Sequence, residues 1–179
     1  MTAPVSSSSG SPFWRFSLRF YRQREVADAC IALQEEAGID VNLLLFLLWH
    51  ATQKRALSAP EVAELERRAA PWRNMTVIPL RTMRRALKSP PALVPGATAE
   101  FFRAKIKAVE LEAERLQQEA MHDLAVPLLG KDAPSLEAAA RANIAAYASM
   151  CAIAFPKSAI ETLLAVLCNL ERNPEERHG

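Results

Sequence analysis

The sequence predicts an all-α fold, a single-domain bundle of about seven helices around a central buried helix over residues 41–54. Three observations carry that reading. Strand signals are nearly absent, with five glycines, few β-branched runs and no Asn-Gly or Asp-Gly hairpin between alternating segments. Helix caps recur along the whole chain. Leu43 to Trp49 form an uninterrupted run of large apolar residues that, as a helix, points in every direction and must be wrapped on all sides.

Each element has its own local reason. Residues 1–11 are small and polar, with four consecutive serines, and read as a disordered tail; they lack the basic and apolar regions of an export signal, so a cytoplasmic location is expected. Ser11-Pro12 supplies a cap and a first-turn proline for a helix with Phe13, Phe16, Ser17 and Phe20 on one side and Arg15, Arg19 and Arg22 on the other. A helix from about Glu25 to Ala37 carries Val26, Ala29, Cys30 and Leu33 at helical spacing and stops at Gly38. Asp40 caps the central helix. It is too short for a membrane span, which takes about 20 apolar residues, and Gln53, Lys54 and Arg55 end it.

Ser58 and Glu61 form a capping box for a helix running to about Ala70, and Pro71 is expected to open the next. Pro79 should kink or divide the segment Trp72 to Lys88, because proline has no N–H to donate. The proline-rich stretch 89–97 is the clear loop. Beyond it, about Thr98 to Ala125, Phe102, Ile106, Val109, Ala113, Leu116 and Ala120 follow alternating four- and three-residue steps. That is the narrow seam of a helix packed along a near-antiparallel neighbour, within the chain or in a homodimer. Two further helices, about Ser135 to Ala154 and Lys157 to Glu171, complete a domain spanning 12–171, with 172–179 as a frayed tail.

With half of its 179 residues hydrophobic, the chain is long enough to bury roughly 70% of its unfolded surface without disulfides or metals. Cys30, Cys151 and Cys168 are odd in number, lack CxxC spacing and sit among apolar or small residues, as suits reduced core thiols. A formal net charge of +2 gives no global field for nucleic acid, so electrostatics must act through local patches.

The densest patch runs from Arg67 to Lys88, where Arg67, Arg68, Arg73, Arg81, Arg84, Arg85 and Lys88 occur with no acid among them. Arg81, Arg84, Arg85 and Lys88 are spaced to share one helix face, and Arg73 with Trp72 lies just upstream. Such a face suits RNA or ribonucleoprotein, an acidic protein or anionic lipid. Its structural counterpart is a solvated face paired with Glu61, Glu64, Glu66 or the acids of the long helix. The aromatic first helix also resembles helices that lie in a membrane interface, although docking into the bundle accounts for its apolar arc.

Two other chemistries are weaker. An apolar small molecule or lipid would sit in a pocket lined by Phe16, Phe20, Phe46, Trp49 and His50. A metal-dependent or acid–base enzyme would rest on Glu110, Glu114, Glu119 and His122, but a di-iron bundle needs a second ExxH pair that the sequence lacks, Glu119 and His122 are expected to project outward and be exposed, and the upstream pair Glu110 and Glu114 is expected to contact Lys107 and Arg115. No phosphate-binding glycine loop or nucleophile elbow occurs, so no catalytic residue, metal or cofactor is assigned.

The segments FWRFSLRFY (Phe13 to Tyr21), ACIALQ (Ala29 to Gln34), GIDVNLLLFLLW (Gly38 to Trp49), PWR (Pro71 to Arg73) and ELEAERL (Glu110 to Leu116) resemble a family of small uncharacterised proteins found mainly in proteobacteria, classed as a domain of unknown function. The resemblance covers about residues 13–124. It implies a bacterial, cytoplasmic helical protein and carries no activity or ligand. The function expected from the residues themselves is a non-catalytic interaction protein that contacts an anionic partner through Arg73, Arg81, Arg84, Arg85 and Lys88 with Trp72.

Overall fold

The computed structural model describes residues 10–124 and 130–172. They form α1 (Pro12–Tyr21), α2 (Arg24–Ala37), α3 (Val41–Thr52), β1 (Arg55–Ala56), α4 (Ala59–Trp72), a π-helical turn (Arg73–Val77), α5 (Ile78–Ala86), α6 (Gly96–Leu124), β2 (Lys131–Asp132), α7 (Leu136–Cys151) and α8 (Lys157–Arg172). Because α4, the π turn and α5 follow without a break, the described residues make seven continuous helices, and the fold is the expected all-α bundle. The two short strands pair antiparallel, Arg55 with Asp132 and Ala56 with Lys131. No helix among the described residues is long and apolar enough to cross a membrane.

The caps act as their residue types dictate. Ser11 Oγ accepts the Trp14 N–H at 3.0 Å, Asp40 Oδ1 accepts that of Asn42 at 2.9 Å, and Gly38 ends α2 with φ +64°. Glu61 accepts both the N–H and the hydroxyl of Ser58, and its other oxygen accepts the Gly130 N–H at 3.0 Å, so the start of α4 also holds the turn before β2. Gly130 has φ +80°, and a Cβ there would lie 2.5 Å from the Ala56 carbonyl oxygen.

The central helix α3 is buried on every side: Leu43 to Leu48, His50 and Ala51 are all in the core, packed most extensively against α7 and also against α1 and α6. Burying each of these leucines contributes about 1.5–3 kcal/mol. The alanines of α7, Ala139 and Ala140, are fully buried, which lets its backbone approach α3 closely. The aromatic face of α1 is used internally, with Phe13 set edge-on to Phe46 at 5.4 Å.

Four expectations are corrected. Pro71 lies inside α4 rather than opening a helix; with Pro79 it brackets the π turn, and neither ring nitrogen donates to the helical ladder. Helix α7 stops at Cys151, where Ala152 turns left-handed (φ +53°), three residues short of the expected Ala154. Gly10 and Ser11 are held rather than loose, since the Ser11 N–H donates to Glu119 at 3.0 Å; residues 1–9 and 173–179, read as tails, lie outside the described residues. Of the expected α6 seam only Ala113 lies on the buried face, with Ile106 half-buried. That face comprises Ala99, Glu110, Ala113, Gln117, Gln118 and Met121, while Phe102, Val109 and Leu116 are 48%, 52% and 43% exposed.

Candidate functional site

Asp40 and Arg73 organise a polar cleft where the end of α2, the start of α3, the π turn and the end of α7 meet. Asp40 is placed by its capping duty, and its Oδ2 accepts from Arg73 Nη1 at 2.9 Å and from Gln117 Nε2 at 2.7 Å. Arg73 also forks onto Glu66, at 2.8 and 2.6 Å. That bidentate bond chiefly, with the charge of Asp40, pushes the Arg73 pKa up against the opposing effect of burial. The phenol of Tyr147 accepts the Asp40 N–H at 2.9 Å, and burial chiefly, with the Asp40 charge, pushes its pKa up, so it stays neutral.

The cleft encloses about 570 Å³. Arg73, Asp40 and Glu66 form its floor, Val77, Ile78 and Ile39 supply apolar wall, and Glu35, Thr82 and Arg85 are exposed at its edge. Cys151 lines one end; burial, then the charge of Glu66, raises its thiol pKa, which keeps it a poor nucleophile.

The predicted basic face divides in two. Arg81 donates to Glu110 at 3.2 Å and to Glu114 at 2.6 Å, and Arg84 donates twice to Glu110, so both are turned onto α6. Arg85 and Lys88 are exposed and make no ion pair among the described residues. Their split follows from the helix: α6 lies along only one side of α5. Trp72 is held between α4 and α6, its Nε1 donating to the Ala113 carbonyl at 2.9 Å. Glu110 and Glu114 thus meet α5 rather than Lys107 and Arg115, which corrects the local pairing expected for them; Arg115 pairs with Glu112 instead.

The two carboxyls beneath Arg81 differ. Burial pushes the Glu110 carboxyl up, but the hydrogen bonds and charges of Arg84 and Arg81 together outweigh it and hold it below the usual range. For Glu114 burial prevails over Arg81, and its pKa is raised.

The aromatic pocket residues contact each other. Phe16 stacks on Phe20 at 5.3 Å, and Phe46 lies between Trp49 and His50, at 5.7 Å from each. Phe16, Phe20, Phe46 and His50 are buried, and none of the five lines the polar cleft or a second, apolar groove of about 360 Å³ between α4 and α6. That groove is formed by Ala69, Trp72, Leu116, Ala120, Met121 and Leu124, with Arg68 at its edge. His122, expected to be exposed, lies half-buried with its ring 5.4 Å from that of Trp49, while Glu119 caps the chain at Ser11; among the described residues no group of three or more His, Cys, Asp or Glu could hold a metal ion.

Glu66 was among the acids expected to pair with the basic face, and Arg73 meets it; sequence reasoning missed Gln117 and Tyr147 as partners of the site. Each is an ordinary residue on its own helix, and only the long-range packing joins them. The π turn had a weak signal in the two prolines that flank it, Pro71 and Pro79.

A family model described as Protein of unknown function (DUF2390) matches residues 12–121, from the start of α1 almost to the end of α6. No curated protein and no solved structure matches the chain. The chain belongs to the DUF2390 family.

Proposed function

We propose that this DUF2390 protein is a non-catalytic interaction protein of the bacterial cytoplasm that engages an acidic segment of a partner protein along the outward face of α5. One observation carries the reading: Arg85 and Lys88 stand exposed and unpaired among the described residues, continuous with an apolar surface. Ile78, Thr82 and Arg85 are three to four residues apart and line the cleft together, with exposed Met75 one turn before them and Lys88 one turn beyond. A face that is apolar at one end and cationic at the other matches an amphipathic acidic peptide.

Nucleic acid is the weaker partner on this geometry. Tight, salt-dependent binding to DNA takes about 6–10 phosphate contacts, whereas Arg73, Arg81 and Arg84 are already committed to Asp40, Glu66, Glu110 and Glu114. A cytoplasmic location agrees with three free cysteines and with the lack of a membrane-crossing helix among the described residues.

The test places a photo-crosslinking amino acid at Thr82 in cells that make the protein. The expected result is a crosslink to one protein, through a segment rich in Asp and Glu, that disappears when Arg85 and Lys88 are both changed to Glu while circular dichroism stays unchanged. A crosslink that survives the charge reversal, or one made to nucleic acid, overturns the reading.

A further inference from the structure

We infer that α6 is a self-association surface on which two copies of this chain pack antiparallel about Val109. The stripe Phe102, Val109 and Leu116 recurs every seven residues and is about half exposed throughout, with Ala120 exposed one turn further on. A sustained seven-residue apolar repeat on a 29-residue helix is the pattern that packs against a second helix. In this chain α5 occupies the Glu110 side of α6, and nothing among the described residues buries the stripe itself.

Two features select a second copy, and select its direction. The first is charge. Before Val109, α6 carries Arg103, Lys105 and Lys107 against Glu100, and after it Glu110, Glu112, Glu114, Glu119 and Asp123 against Arg115; Glu110 and Glu114 are turned onto α5 and Glu119 onto Ser11, so Glu112, half exposed, is the acid left beside the stripe. A parallel pair sets like charge on like, whereas an antiparallel pair sets the cationic half of each copy on the acidic half of the other, with Lys105 facing Glu112. Lys105 makes no ion pair among the described residues and lies over the Phe101 ring, 4.6 Å from its centroid.

The second is shape. Phe102 and Leu116 lie seven residues to either side of Val109, about 10 Å along the helix axis at 1.5 Å per residue. A two-fold axis through Val109 therefore brings Phe102 of one copy over Leu116 of the other. There the apolar groove of about 360 Å³, walled by Trp72, Ala120 and Met121, is open to receive an aromatic ring. The contact is reciprocal, as a two-fold interface requires: each copy gives a phenyl ring and receives one. One copy thus supplies what both the exposed phenylalanine and the open groove lack.

Sedimentation equilibrium on the whole chain tests this against its mass of 19.8 kDa. The expected wild-type mass is twice that. Leu116→Glu and Val109→Glu should each give a folded monomer with an unchanged circular dichroism spectrum, because neither side chain is in the core of its own chain. Lys105→Glu and Glu112→Lys should each weaken the dimer at least tenfold, and together restore it. For direction, Val109→Cys should oxidise to a disulfide-linked dimer, whereas Phe102→Cys should link to Leu116→Cys in mixed samples and not to itself. A monomeric wild type overturns the inference whatever else covers the stripe. A dimer that survives Leu116→Glu, or a Phe102→Cys variant that links to itself, overturns the arrangement.

Discussion

The guanidinium of Arg73 lies 2.9 Å from the Asp40 carboxylate, tying the π turn to the cap of the most buried helix in the molecule. Asp40 thereby has two duties, holding the first turn of α3 with one oxygen and anchoring the bent α4–α5 helix with the other. Both groups are largely withdrawn from water, so their pairing concerns the geometry of the junction more than net attraction.

Replacing Arg73 with Met should cost about 3 kcal/mol, because it strands the Asp40 and Glu66 carboxylates with fewer donors. Arg73→Lys should recover less than half of the loss, since one ammonium cannot reproduce the fork onto Glu66 while reaching Asp40. Urea unfolding measures both as a shift in midpoint at constant slope. A loss below about 1 kcal/mol for Arg73→Met means that the junction is held by packing alone.

The acids beneath Arg81 should respond oppositely to pH. Glu110 has a folded pKa below its ordinary value of 4.5, so its contribution is present above pH 4.5 and is lost as the pH falls toward the folded value. Glu114 has a raised folded pKa, so it is most compatible with the fold below pH 4.5, and that advantage is lost as the pH rises through the raised value. Glu110→Gln should therefore cost about 2 kcal/mol at pH 7 through its lost charge-assisted bonds and flatten the acid limb of stability. Glu114→Gln should cost less at pH 7 and steepen the decline in acid. Thermal melts between pH 3 and 8 distinguish the two, and identical profiles contradict the assignment.

How much of this was legible in the sequence depended on whether the signal was local. Caps such as Ser11, Asp40, Gly38 and Ser58 act within four residues, and they set the helix starts and stops. The run around Phe46 identified the core helix because only complete burial suits it. Arg81 and Arg85 were alike in the sequence and differ in the fold, since which of them meets Glu114 depends on where α6 lies, across the loop Leu87 to Pro95. The α6 seam was correctly periodic and only partly placed, with Ala113 buried and Phe102, Val109 and Leu116 exposed: periodicity shows that a face seeks a partner, and not which partner it finds. Asn143 gave no signal at all.

Cys30 should be the last thiol to react. It is fully buried, and burial pushes its pKa up to about 12. At pH 8 a disulfide reagent should modify the half-buried Cys151 and Cys168 first and reach Cys30 only at the rate of global unfolding. Mass spectrometry of time points reads the order. A raised thiol pKa also means that stability falls as the pH climbs from 9.0 toward 12, and Cys30→Ala should blunt that alkaline loss.

Asn143 is the most exacting polar residue in the core. It is fully buried, its Nδ2 donates to the carbonyls of Leu47 and Arg55 at 3.0 and 3.1 Å, and its Oδ1 accepts the Leu57 N–H at 2.6 Å. The Leu47 carbonyl is already within the α3 ladder, but the Arg55 carbonyl and the Leu57 N–H lie beyond the end of α3, past Lys54 in the left-handed region at φ +54°, where no helical ladder satisfies them. The side chain therefore replaces the missing backbone partners. Asn143→Leu, close in size, leaves the Arg55 carbonyl and the Leu57 N–H unpaired in an apolar surrounding, at about 1–3 kcal/mol each. Asn143→Asp keeps the acceptor for Leu57 but turns a carboxylate toward two carbonyls, and only protonation restores a donor. Asn143→Leu should therefore be destabilised at every pH, by about 2 kcal/mol or more, whereas Asn143→Asp should regain stability as the pH falls through its raised pKa. Chemical denaturation at pH 4.5 and 8 reads the difference, and a leucine variant as stable as the wild type would mean that the Arg55 carbonyl and the Leu57 N–H find other partners.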